Sequence, residues 1–145
     1  MYGKNQYGNQ RGEKAEAPTA SLASTDIPAI LNIRHEAQVA ELLDKIKGFV
    51  ENKGGSITSS QLRNIFSKVK GYEKMEKGRR HQTLQLIRPH LAYIAARQNT
   101  PLARDVVEFL ESIVKGVDTD EKVDDFVTFF ESIVAYHKFY HGKKS

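Results

Sequence analysis

The stretch FVTFFESIVAYHKFYHGKK, Phe126 to Lys144, places six Phe or Tyr rings within fifteen residues and ends in a basic tag. At about 100° per residue, Val123, Phe126, Val127, Phe130, Ile133, Val134 and His137 fall within an arc of about 120°, the core stripe of an amphipathic helix. Phe129, Tyr136 and Tyr140 lie beside that arc, within about 40° of one another, and widen the apolar surface to nearly half the circumference. A helix apolar over that width is either the centre of a bundle or in contact with something else. Phe129, Tyr136 and Tyr140 are therefore the candidate partner-interface residues, weighed against burial inside the bundle. The helix is expected to start at Asp118 or Thr119 and to run to about Tyr140.

Working outward, the same periodicity recurs. From His35 to Lys53, Val39, Leu42, Leu43, Ile46, Phe49 and Val50 follow helical spacing, and Gly54 and Gly55 close the pattern. A short helical turn at IPAILN is expected before it. Thr58 and Gln61 match a capping box for a second helix carrying Leu62, Ile65, Phe66 and Val69 and ending near Gly71. After the polar connector GYEKMEKGRR, a third helix is expected from about Gly78 to Gln98. Pro89 should kink it unless the true helix starts there. Thr100 and Pro101 suit the N-cap and first position of a fourth helix, with Leu102, Val106, Phe109, Leu110 and Ile113 on its apolar face. No segment alternates with period two. The expectation is an all-α protein, an antiparallel bundle of about five helices.

The chain has 145 residues, 39% of them apolar, which suits one core. Residues 1–25 are polar and aperiodic and read as a disordered tail ahead of a single helical-bundle domain over 26–145. With no cysteine, disulfides and thiolate metal sites are excluded. The N-terminus has no signal-peptide pattern, and no apolar run reaches the roughly 18 residues of a membrane span, so a soluble cytoplasmic protein with no membrane partner is expected. Net charge is +4, unevenly distributed: residues 56–98 hold 9 basic and 2 acidic side chains, a net +7, whereas 99–145 hold 6 and 9, a net −3. A basic middle between neutral and acidic segments is what a polyanion-binding face needs, and also what solvated lysines look like. In the second helix, Arg63 and Lys70 share an edge about 10 Å apart along the axis, suited either to successive phosphates or to side chains snorkelling into solvent. In the third, Leu86, His90, Tyr93 and Arg97 share a second face about 60° wide. Burial against another helix would account for Leu86 and Tyr93 but would leave Arg97 needing a carboxylate or a phosphate.

Catalytic chemistry finds no foothold. His137 and His141 are spaced i, i+4, yet the intervening KFY lacks the glutamate of a zincin and His137 points into the core arc. DTDEKVDD resembles the start of a calcium loop at Asp118 and Asp120, but Lys122, Val123 and Phe129 stand where a ligand, a glycine and a bidentate glutamate belong. Glycine-rich phosphate loops and nucleophile elbows are missing. No catalytic residue, metal ligand or cofactor is expected.

Three segments, ITSSQLRNIFSKV (57–69), LIRPHLAYIAARQ (86–98) and FVTFFESIVAYHKFY (126–140), resemble the three blocks of the small subunit of type III-A CRISPR effector complexes, the small helical protein of the Csm complex. The likeness extends over roughly residues 35–141, with Ala96 standing before Arg97 where many members have glycine. It implies a subunit that is not an enzyme and stacks in several copies along the inner filament beside the guide RNA. Its implied partners are the guide RNA, the target RNA, the large subunit, the repeating backbone subunits and further copies of itself. RNA cleavage would belong to the backbone subunit, and DNA cleavage and cyclic oligoadenylate synthesis to the large subunit. By the resemblance Arg63 in QLRN and Arg97 in AARQ are the leading candidates for RNA phosphates or neighbouring subunits; Lys68, Lys70, Arg79, Arg80 and Arg88 rest on the basic block alone. A general helical RNA-binding or scaffold protein outside CRISPR is the alternative.

Overall fold

Three threonines start three of the long helices. Thr58 Oγ1 accepts the Gln61 N–H at 3.0 Å while Gln61 Oε1 accepts the Thr58 N–H at 3.0 Å, a reciprocal capping box. Thr100 and Thr119 accept the N–H groups of Ala103 and Lys122, and Pro101 sits in the first turn, where its missing donor costs nothing. In the computed structural model, which describes residues 21–142, the element order is α1 (Ile27–Ile30), α2 (Val39–Lys53), α3 (Ser59–Glu73), α4 (Arg80–Leu84), α5 (Ile87–Gln98), α6 (Pro101–Lys115) and α7 (Asp120–His141). Short 3-10 turns lie at Ser24–Asp26, Ile33–His35 and Gly54–Ser56, and no strand occurs among the described residues. The all-α expectation is met, with α2, α3, α5, α6 and α7 as its five long helices.

Two boundaries differ from expectation. The helix expected over 78–98 is two helices, α4 and α5, separated at Gln85 and Leu86, so Pro89 kinks nothing. It lies in the first turn of α5, where N–H groups lack helical partners in any case, and Gln85 marks the break by donating its side-chain amide to the Val114 carbonyl at 2.9 Å. Residues 1–20 of the expected tail lie outside the described residues. Residues 21–25, however, belong to the packed chain, because Leu22 is buried in the same apolar cluster as α2 to α7.

The long helices close a ring. α7 packs against α2 and α3, α3 against α5, α5 against α6, and α6 back against α2. The Phe66 and Phe130 rings stack at 6.2 Å across the α3–α7 contact, and Phe49 meets Phe109 at 5.3 Å across α2–α6. α7 is also covered by α1 and α4 and is the most enclosed element, with Val123, Phe126, Phe129, Phe130 and Ile133 all buried.

Polar latches fix both ends of α7. Near its C-terminus, buried His137 donates Nε2–H to the carbonyls of Gly54 (3.0 Å) and Ile57 (2.8 Å), and its Nδ1 meets Ser59 Oγ at 3.2 Å. His141 Nε2 reaches the Val50 carbonyl at 3.0 Å, so two histidines satisfy carbonyls at the end of α2. Gly54 suits this close approach: a Cβ would come within 3.1 Å of Val50 Cγ1 and 3.3 Å of the His137 ring, so both side chains would have to shift. Near the other end, the Arg34 backbone N–H and Nε both donate to buried Asp125 Oδ1, at 3.1 and 3.0 Å.

Candidate nucleic-acid interface

The core stripe of α3, Leu62, Ile65 and Val69, leaves its two edges in different grooves. One groove, of about 310 Å³, lies between the start of α3 and the end of α7, with Arg63 and Lys138 on its rim and Ser59 and His137 in its wall. The other, of about 250 Å³, lies between α3 and α5 and is lined by Asn64, Lys68, His90, Tyr93 and Arg97. Arg63 and Arg97 thus lie on opposite sides of α3 rather than in one site. Gln61, which caps α3 and accepts the Gln98 amide at 2.8 Å, ties the start of α3 to the end of α5 and lines the second groove.

The seven basic candidates divide by what already neutralises them. Arg80 is 9% exposed and is a correction to the RNA-binding expectation. Its Nη1 donates to the Glu73 carbonyl (2.9 Å) and Asp124 Oδ1 (3.0 Å), and its Nη2 to the Asp120 carbonyl (3.1 Å), tying the end of α3 to the start of α7. The hydrogen bond to Asp124 leads in holding its guanidinium above the ordinary arginine pKa. Arg88 is likewise engaged, with Nε 3.1 Å from Glu111 Oε2. Lys70 pairs with Glu73 at 3.2 Å and lies over the Phe66 ring. Arg63, Lys68, Arg79 and Arg97 are exposed and form no carboxylate pair among the described residues.

The second face of α5 is solvent-exposed rather than buried against another helix: Leu86 is 59% and Tyr93 63% exposed, with His90 and Arg97 exposed beside them. Ile87, Leu91, Ile94 and Ala95 supply the core contacts of α5, so this face has no packing partner among the described residues. Arg97 Nη1 lies 3.4 Å from the Tyr93 hydroxyl.

The aromatic flank of α7 requires another correction. Phe129 is fully buried and belongs to the core, because α7 is wrapped on more sides than a surface helix. Tyr136 and Tyr140 are half-buried against that core. Phe139 is the exposed ring, at 76%, and packs edge-on to Tyr140 at 5.0 Å. The wheel carried a signal for it: Phe139 lies about 180° from the centre of the core arc.

The remaining titratable clusters are structural. Asp120 accepts the backbone N–H groups of Gly78 and His81 and lies 2.6 Å from His81 Nδ1. The His81 hydrogen bond, with those amides, holds its carboxyl far below the usual carboxylate range. Gly78, at φ +92°, supplies the left-handed turn that aims its N–H at Asp120. Asp118 pairs with Lys122 at 2.9 Å. Among the described residues no group of three or more His, Asp or Glu side chains is placed to hold a metal ion, and no helix is long and apolar enough to cross a membrane.

Against known proteins, the Csm2 Type III-A family model matches residues 36–143, three quarters of the chain and all three sequence blocks. No curated protein and no solved structure matches.

Proposed function

Since the chain belongs to the Csm2 Type III-A family, and is thereby a small subunit of the type III-A CRISPR Csm complex, we propose that it is a non-catalytic RNA-holding subunit. It stacks in several copies along the guide and target RNA, beside the large subunit and the repeating backbone subunits. Contacts run through backbone phosphates, which lets one subunit accept any guide sequence and leaves sequence reading to base pairing. The observation that carries this reading is the sorting of the basic block. Arg80 and Arg88 are engaged by carboxylates, whereas Arg63, Lys68, Arg79 and Arg97 present surface charge that no carboxylate among the described residues pairs. Family membership argues against the alternative of a general RNA-binding bundle outside CRISPR.

Stacked identical subunits meet through a heterologous interface, and the +7 middle and −3 C-terminal segment supply unlike charges for it. The exposed Phe139, with Tyr136 and Tyr140 beside it, is the apolar contact offered to a neighbouring subunit. Self-association unaffected by salt would remove the charge account.

The test is to tag the chain in its host, isolate it gently and sequence the RNA that accompanies it. Short RNAs sharing a constant repeat-derived 5′ segment are expected; mixed cellular RNA or none would overturn the reading. Arg63→Ala and Arg97→Ala should each weaken RNA retention and lower the salt slope by about one phosphate contact, with helicity kept. Loss of melting temperature with unchanged RNA binding would make these arginines structural.

A further inference from the structure

Tyr93 places a large ring in solvent on a helix whose core contacts are supplied by other residues, beside cations that no carboxylate among the described residues neutralises. We propose that the groove between α3 and α5 is a stacking site for an unpaired RNA base, with the Tyr93 ring as platform and Lys68 and Arg97 on the flanking phosphates. This rests on the reading of the chain as an RNA-holding subunit and adds to it a contact that depends on bases.

Four observations converge on it. The ring is 63% exposed on a helix, and it shares the groove with Ile65 and Ile94, which are 3% and 6% exposed and give the groove an apolar lining. Arg97, one turn on, brings Nη1 to 3.4 Å from the phenol oxygen, so a cation lies directly beside the ring. Among the described residues no carboxylate lines the groove, so an anionic strand meets no repulsion from them. Lys68 beside the ring favours a polyanion over a protein partner, because lysine is depleted at the centre of protein interfaces. Stacking on an aromatic face is open to every base, so the site is compatible with a guide of any sequence.

The test uses the full chain and two unstructured strands of equal length, a uridine oligonucleotide and an abasic ribose-phosphate strand, titrated by fluorescence anisotropy over a range of salt. The wild-type protein should bind the uridine strand about tenfold more tightly, the effect of one stacked base. Tyr93→Phe should keep that preference. Tyr93→Leu, with unchanged melting temperature, should reduce uridine binding to the abasic level while leaving the salt slope intact. Equal wild-type binding of both strands, or a preference that survives Tyr93→Leu, overturns the stacking site and leaves the phosphate reading standing. If Tyr93→Leu leaves RNA binding untouched but blocks assembly with the other subunits, the face belongs to a protein and the proposal fails. If neither strand binds at any salt, the RNA-holding reading fails with it.

Discussion

Replacing Arg80 should test folding rather than RNA binding. Its guanidinium makes short hydrogen bonds to the carbonyls of Glu73 and Asp120 and to Asp124 Oδ1, with a longer one at 3.4 Å to Asp124 Oδ2, while its buried Nε finds no partner within hydrogen-bond distance. Removing one member of a buried ion pair costs about 3–5 kcal/mol, because the partner is left uncompensated. Asp124, whose side chain is 29% exposed, regains water, which places Arg80→Ala near the lower end, at about 3 kcal/mol. For a packed region of this size each kcal/mol shifts the melting temperature by about 3–4 °C, so a fall of about 10 °C is expected by circular dichroism. Arg80→Lys should recover only part of it, since an ammonium cannot span two carbonyls and a carboxylate in a fixed fork. RNA affinity measured well below the transition should match wild type. A melting temperature within about 2 °C of wild type, with RNA binding lost, would refute the reasoning and return Arg80 to the RNA face.

The core and surface rings of α7 should separate cleanly. Phe129→Ala should cost about 3–5 kcal/mol in denaturant unfolding, whereas Phe139→Ser should stay within about 0.5 kcal/mol and impair self-association instead. Burial pushes the His137 pKa down, so the fold favours its neutral form. Its contribution is therefore present above the unfolded value of about 6.5 and is lost as pH falls through the lower folded value. Thermal melts should show wild type losing stability in that acid range, and His137→Gln, weaker at neutral pH, should show a flatter slope; parallel slopes would assign the acid sensitivity to another group. Thr58→Ala should cost about 1 kcal/mol by removing the capping box of α3, read from the shift in denaturant midpoint.

Local patterns were legible because they depend on neighbours in the chain. Apolar spacing and the Thr58 and Thr100 caps act over three or four residues, so the five long helices, the all-α class and the three family blocks could be read directly from the sequence, while the start of α7 stayed open between Asp118 and Thr119. The exposed second face of α5 was legible as a face, but whether anything covered it was not. Which charges remain available depended on distant partners: Arg80 meets Asp124, 44 positions away, and Arg88 meets Glu111, 23 away. Phe139, opposite the core arc of α7, was legible as an outward ring, whereas Phe129, beside that arc, is buried only because α1, α2, α3 and α4 enclose α7. Periodicity is set within a single helix and is therefore written in the sequence. Neutralisation and enclosure come from packing one helix against another, and only the tertiary structure decided them.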